Sequence, residues 1–536
     1  MKIMNMMMNT EKWLRTAEAL IPTLFKTTVR PCRLIELQPQ EDQFQGWTAV
    51  SIGTPEDFYN REHQRQLDVT FDFGNYCVGW VRFEIETLNA ADCPLRLEVK
   101  LGEVLAEIGE DFKEYNGSLG RSWLQEDILV LDQPGGIIRL SRRYAFRYLR
   151  IRGSYNGGYR FRLRNLSCET TTSADLSRVT PLPPTCPPRL RELDRVGLNT
   201  LKNCMQTVFE DGPKRDRRLW LGDFRLQAMV NYCSFKNYDL CKRCLYLFAA
   251  TVNDRGCIAA CLYERPQPHS GDCFNYDYTA LFVPTLLEYA QASGDWQTAR
   301  ELWPVAQRQM ELVLAEVDDG GVFRNRSNWW LFIDWVERLD RQASEQGLVI
   351  YALKKACELS RELDRKEPCA AWCRQIEKMS LAAVSHLFDP ARKVFVSGPQ
   401  RQISWASQVW MALAGVLPAA EAAATLRAVA VIPEAVKPAG PYLYHYVAEA
   451  MFAVGMKTEA YALMEKYWGA MVNLGADTFW EIFDPENPHF SPYGSHLINS
   501  YCHAWSCTPS YFLRRDLSRE NRTLKKTAAE QTVSVL

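Results

Sequence analysis

The chain has 536 residues, 47% of them hydrophobic, and its 63 Lys and Arg nearly cancel its 64 Asp and Glu, for a formal net charge of -1. That balance gives no overall electrostatic reason to bind nucleic acid or an acidic membrane, and 29 Gly with 27 Pro exclude a collagen-like or low-complexity chain. At about 100–200 residues per domain, the length accommodates several domains and a large core. Aromatics make up 12% of the chain, with 16 Trp, 23 Tyr and 24 Phe. This suits a big core, or an enzyme that stacks sugar rings; composition does not choose.

In chain order, the N-terminus lacks the apolar run of about 7–15 residues and the small-residue cleavage site of a signal peptide. Glu11, Lys12, Arg15 and Glu18 interrupt it early. Residues 11–27 place Trp13, Leu14, Ala17, Leu20 and Ile21 at helical spacing, which predicts a short amphipathic helix. From about 32 to 170 the texture changes to short β-branched and aromatic runs. They are Arg33–Leu37, Trp47–Ile52, Leu67–Phe73, Tyr76–Leu88, Pro94–Leu101, Trp123–Leu131, Ile137–Leu140, Tyr144–Gly153 and Tyr159–Leu166. Turn residues separate them at Gly74-Asn75, Asn89 to Asp92, Gln133 to Gly136 and Asn156 to Gly158. Strands at this spacing with no helix between them predict an antiparallel β-sandwich over residues 31–180, after an N-terminal extension of residues 1–30.

Pro181, Pro183, Pro184, Pro187 and Pro188 mark the expected boundary to the next domain. Helical periods follow near 188–208, 222–235, 237–252, 276–293, 295–318, 342–364, 366–387, 403–414, 418–430, 440–455, 457–473 and 495–512. Paired helices without a fixed sequence repeat predict a toroid of six helical hairpins, an (α/α)6 barrel, over residues 181–515. The apolar-leaning stretch Gln402 to Ala420 contains Ser404, Gln408 and Pro418, so it reads as buried helix rather than a membrane span. Residues 516–536 are polar and read as a loose tail.

The 17 cysteines are scattered. Cys241 with Cys244, and Cys257 with Cys261, lack the second ligand pair that a structural zinc site needs. No metal and no cofactor are expected. Without an export signal, the thiols fit a reducing cytoplasm.

Three clusters could carry chemistry, the second made of two segments. Glu210 to Asp223 packs Asp211, Asp216 and Asp223 with Arg215, Arg217 and Arg218 around Trp220, punctuated by Gly212, Pro213 and Gly222. It is either a charge-balanced solvated loop or a binding loop whose Asp and Arg tune one another and fork onto hydroxyls. Asp477 to Asp484 sets Glu481 between Trp480 and Phe483, as a structural ion-pair partner or as a carboxylate with a shifted pKa. His503 follows in Ser500 to Ser506, where a satisfied core histidine is the plainer reading. Asn328 to Trp335 sets Asp334 among three tryptophans, a pattern that on its own suits core. Glycoside hydrolysis unites these features, since it needs one acidic and one basic carboxyl group beside aromatic walls. G-x-S-x-G, H-E-x-x-H, P-loop and dinucleotide-binding motifs are all missing.

Asp211-Gly212-Pro213-Lys214-Arg215-Asp216-Arg217 with Trp220-Leu221-Gly222-Asp223 resembles the signature of bacterial α-L-rhamnosidases of glycoside hydrolase family 78. Thr478-Phe479-Trp480-Glu481 with His503-Ala504-Trp505 resembles that family's second block, and Asp334-Trp335 a third, all in the family's order. The resemblance covers about residues 30–515 and implies a β-sandwich before a helical barrel. It implies Asp216 as general acid and Glu481 as the general base that activates water. It places Asp211, Arg215, Trp220, Asp223, Trp335 and His503 against the rhamnose ring, with Trp480 as a neighbouring wall. It further implies inversion, with the carboxyl groups about 6.5–9.5 Å apart. Asp216 stands where many long members have Glu, as in compact members, and Leu219 stands where a Gly is common. The long members' additional β-domains have no counterpart here, which implies small rhamnosides as substrates.

Two rivals remain at this point. One is another helical-barrel sugar enzyme, such as an unsaturated uronyl hydrolase; the other is a non-catalytic carbohydrate-binding protein on the same fold. A homodimer is expected from the class alone, with no nucleic-acid or membrane partner.

Overall fold

The computed structural model describes residues 9–64, 66–90, 94–154 and 158–516. The expected tail beyond residue 516 and parts of two expected turns, at 91–92 and 156–157, lie outside the described residues. The first helix, α1 (Thr10–Ala19), is shorter than the pattern predicts. Pro22 has no N–H with which to continue the ladder. The chain leaves instead as strand β1 (Phe25–Val29). Trp13 and Ala17 are the buried face of α1, and Arg243 donates to the carbonyl of Ala17 near the helix end.

Eight further strands complete one antiparallel assembly: β2 (Arg33–Pro39), β3 (Trp47–Gly53), β4 (Gln66–Thr87), β5 (Leu95–Gly102), β6 (Glu126–Leu131), β7 (Gly136–Arg139), β8 (Tyr144–Ser154) and β9 (Phe161–Thr172). Gly74-Asn75 does not turn the chain. The two runs around it form the single strand β4, with a register irregularity between Asp72 and Cys77 that Gly74 accommodates at φ 76°. The first part of β4 pairs with β2 and β8, and the second with β9 and β7, so one strand serves both ends of the sheet. Alternating Val81, Phe83 and Ile85 point into a core shared with Leu97, Phe146, Leu149 and Phe161.

Before a last helical segment that begins at 509, eleven α-helices follow among the described residues: α2 (Pro188–Cys204), α3 (Leu221–Cys233), α4 (Tyr238–Ala250), α5 (Tyr276–Ser293), α6 (Trp296–Leu314), α7 (Gln342–Glu362), α8 (Lys366–Leu387), α9 (Trp405–Ala414), α10 (Ala419–Ala430), α11 (Pro441–Ala453) and α12 (Lys457–Asn473). Helices α3, α5, α7, α9 and α11 contact one another in sequence as an inner ring, and a 3-10 turn at Ala504–Ser506 closes it by touching both α11 and α3. Inner helices are buried all round, as Leu221 to Asn231 of α3 are without a break. Outer helices bury one face, as α6 does with Leu302, Val305, Ala306 and Met310. Asp295 caps α6 by accepting from the Thr298 backbone N–H at 3.0 Å.

The segment expected to be helical over 495–512 is not. It forms 3-10 turns at His496–Ile498 and Ala504–Ser506, and α-helix resumes only at 509. Its backbone donors are committed elsewhere: Ser500 N to Glu481, Tyr501 N to Glu103, His503 N to the Phe479 carbonyl and Ala504 N to the Asp211 carbonyl. No helix among the described residues is long and apolar enough to cross a membrane.

Candidate active site

The pocket lies at the N-terminal ends of the inner helices, where the segment between α2 and α3 folds over the ring. Asp211 ties this loop into shape: its two carboxylate oxygens accept from the backbone N–H of Asp216 at 3.1 Å and of Arg218 at 3.0 Å. Gly212 is required by space, since a Cβ there would sit 2.5 Å from both the Arg215 carbonyl and the Ser500 hydroxyl. The turn thereby presents Arg215 and Asp216 to the centre of the barrel.

Arg215 links the carboxyl groups. Its Nη2 donates to Glu481 Oε2 at 2.5 Å, its Nε to the Ile498 carbonyl at 3.0 Å, and its Nη1 lies 3.5 Å from Asp216 Oδ1. Glu481, 2% exposed, also accepts from Tyr493 Oη at 2.6 Å and from Ser500 N at 3.1 Å. Burial acts to raise its pKa, but the Arg215 guanidinium, His503 and these two donors together hold it below the usual carboxylate value. The outcome is a buried carboxylate that stays ionised.

Asp211 behaves in the other sense. Burial first, then the charge of neighbouring Asp216, pushes it up to about 7. Asp216 is the more accessible of the two, its side chain 17% exposed, with Arg218 Nη1 3.5 Å from its Oδ2. Across the pocket, His503 Nε2 pairs with Asp223 Oδ1 at 2.9 Å. Burial lowers the pKa of His503, yet Asp223, Glu481 and Asp211 raise it overall. Burial raises Asp223 despite the His503 partner.

Asp211, Arg215, Asp216, Trp220, Asp223, Trp335, Glu481 and His503 line one pocket, which encloses about 390 Å³ of empty space with its mouth included. Trp480 is not among them. Its ring stacks on Phe44 at 4.7 Å and faces the β-sandwich. Asp334 anchors the neighbouring chain by accepting from Ala439 N at 2.7 Å. The sequence reading missed Tyr278, Trp330, Phe332, Tyr493 and Trp505 as pocket residues. Trp330 and Phe332 lie in the aromatic segment that reads as core, and Trp505 completes the His-Ala-Trp motif. Tyr493 had no signal, because it sits in a polar loop with neither period nor motif. Among the described residues, two buried pocket nitrogens, Trp335 Nε1 and His503 Nδ1, have no hydrogen-bond partner.

Two carboxyl groups on one guanidinium, walls of Trp and Phe, and an (α/α)6 barrel behind a β-sandwich define a glycoside hydrolase. The chain belongs to glycosyl hydrolase family 78, the α-L-rhamnosidases. The family's α-rhamnosidase N-terminal domain matches residues 31–170, and the bacterial α-L-rhamnosidase six-hairpin glycosidase domain matches residues 185–517. A rhamnosidase from Klebsiella oxytoca, solved with rhamnose bound, is 44% identical with a TM-score of 0.91, covering 94% of this chain and 98% of its own. The family 78 rhamnosidase of Bacillus sp. GL1 shares the fold at 20% identity and a TM-score of 0.73, covering 88% of this chain and 50% of its own. The Streptomyces avermitilis α-L-rhamnosidase, complexed with L-rhamnose, shares it at 17% identity and a TM-score of 0.67, covering 92% and 44%. No curated protein matches. Family membership sets aside the unsaturated uronyl hydrolase reading.

Proposed function

We propose that this glycosidase removes terminal α-L-rhamnose from small rhamnosides with inversion, Asp216 protonating the leaving oxygen and Glu481 deprotonating water on the other face of the ring. The observation that carries the assignment is Arg215, which contacts both carboxyl groups and keeps them from meeting directly. A guanidinium between them is compatible with the ~6.5–9.5 Å separation of an inverting pair. Burial first, and then the charge of neighbouring Asp216, push Asp211 up to about 7. Asp216, the more accessible of the two, is the one placed to reach the leaving oxygen. Glu481 is kept ionised and accepts a proton from water. Asp211, Arg215, Trp220, Asp223, Trp335 and His503 form the ring-binding wall, with Trp335 Nε1 and His503 Nδ1 free to meet sugar hydroxyls. Trp480 has no place in this wall. The likeness to a relative of the same compact length supports small substrates.

An aryl α-L-rhamnoside followed by NMR tests the proposal. A β-anomer formed first is the expected result; a first-formed α-anomer overturns inversion. Binding of rhamnose without turnover would establish the non-catalytic reading instead. A reducing cytoplasmic location belongs to the same reading, supported by the free thiols of the described cysteines, and cell fractionation checks it. So does a symmetric dimer, which light scattering on the purified protein decides.

A further inference from the structure

The barrel carries a convergence of side chains that the rhamnosidase reading does not use. Cys357 lies late in α7, while Cys369 and Cys373 stand four residues apart near the start of α8, on one face of that helix. The turn of Leu363 to Arg365 folds α8 back so that all three Sγ atoms lie within 4.8 Å of one another, with Cys357 and Cys373 at 3.8 Å. Among the described residues, no other three His, Cys, Asp or Glu side chains converge in this way. We propose that Cys357, Cys369 and Cys373 form a binding site for one thiophilic closed-shell cation, Zn(II) or Cu(I), that pins α7 to α8.

The dimensions fit. With metal–sulfur bonds of about 2.3 Å, sulfurs around a tetrahedral or trigonal ion stand roughly 3.8–4.0 Å apart. The observed triangle needs only small side-chain adjustment to reach that spacing. The donor set is all sulfur, which selects soft cations over Ca(II) or Mg(II). Three thiolates satisfy three-coordinate Cu(I), or Zn(II) with water as fourth ligand. Exposure is graded from buried Cys357 through half-buried Cys369 to exposed Cys373, so an ion reaches the site from solvent. A thiol that coordinates a metal is deprotonated, so ion binding releases protons from the cluster. The paired thiols elsewhere differ: Cys241 and Cys244 are wholly buried, with no third ligand beside them among the described residues.

The site has no part in catalysis. The pocket sits at the N-terminal ends of the inner helices, whereas Cys357 is 15 residues beyond Gln342 at the start of α7. At 1.5 Å per residue that is about 22 Å along the axis. The expected consequence is a stability effect without a rate effect.

The test uses the full-length enzyme, reduced, chelator-stripped and assayed for free thiols. It is titrated with Zn(II) against a chromogenic chelator and, in a separate anaerobic arm, with Cu(I) against a Cu(I) chelator. The expected result is one ion per chain, proton release, and a raised Tm. In Cys369→Ser/Cys373→Ser, binding weakens at least ~100-fold while turnover of an aryl rhamnoside is unchanged. Cys373→Ser alone, at the exposed position, serves if the double variant fails to fold. The two arms decide which ion the site prefers. Absence of stoichiometric binding in both arms, or an affinity unchanged in the variants, overturns the proposal.

Discussion

The barrel supplies every side chain that lines the pocket, from Asp211 to Trp505, whereas the β-sandwich supplies none and instead grips the loop bearing Asp216 from behind. Lys214, one residue before Arg215 and 1% exposed at its side chain, reaches out of the barrel to Glu103 at 2.9 Å and to Glu107, both in the sandwich. Glu103 also accepts from Tyr501 N at 2.8 Å, and Lys214 donates to the Asn499 carbonyl at 2.5 Å. On the other flank Arg143 holds Glu210 at 2.7 Å, and its carbonyl accepts from Arg217 at 2.9 Å. The pocket is thus walled by aromatic packing and set in register by buried charges. A buried ion pair adds little net stability but is costly to break, so it fixes one arrangement of the loop against its alternatives. The sandwich acts on the chemistry by position alone.

Breaking the barrel side has the largest expected effect. Glu481→Gln keeps the shape and removes the proposed base, so kcat falls by about 10²–10⁴-fold, and Tm falls as well because Arg215 loses its buried ion-pair partner. Single-turnover kinetics on an aryl rhamnoside measure this, and retained turnover ends the assignment of Glu481. Breaking the sandwich side comes next. Lys214→Met strands Glu103 and Glu107 in the interface and costs about 3–5 kcal/mol in denaturant unfolding. Glu107→Gln costs less, because burial already raises the Glu107 carboxyl and Lys214 keeps Glu103 as an ion-pair partner at 2.9 Å. Equal costs for the two variants would show that charge does not hold the loop.

The pH profile sharpens the comparison further. Asp211, in the ring-binding wall, loses its proton as pH rises through about 7, where burial and the Asp216 charge place it, so kcat/KM should change over that range. The base must be ionised, so the opposite limb lies below the ordinary carboxylate value. Tyr493→Phe removes a donor to the Glu481 carboxylate, which raises its pKa and moves the acidic limb to higher pH. An acidic limb unmoved in that variant would remove Tyr493 from the account.

Much of this was legible in the sequence. Helices announced themselves by their period, strands by alternation, and Asp211, Arg215 and Asp216 by crowding of charge in a segment punctuated by Gly212, Pro213 and Gly222. What escaped detection depends on distant partners. Residues 495–508 have a helical composition, but their N–H groups are taken by Glu481, Glu103 and two remote carbonyls. Tyr493 enters the site only because that loop folds back. The triangle of Cys357, Cys369 and Cys373 is invisible to a search for paired C-x-x-C motifs, since the helix turn brings its first member close.

Trp480 gives the smallest and most discriminating effect, because the motif and the structure disagree about its side chain. The motif places it beside Glu481 as a sugar wall, and adjacency in sequence makes that reasonable. In this irregular segment, however, Glu481 takes the pocket side and Trp480 the other. Trp480 therefore faces the sandwich, stacked on Phe44 and edge-on to Phe483 and Tyr501, and lines an interdomain cavity with Trp47 and Arg147. Trp480→Phe retains an aromatic ring against Phe44, so KM for an aryl rhamnoside should stay within about twofold while Tm falls modestly. Trp480→Ala opens a cavity and should cost about 3–5 kcal/mol, again with KM held in the folded fraction. A KM raised about tenfold in Trp480→Phe at unchanged Tm would return Trp480 to the sugar, and with it a direct role for the domain interface in binding.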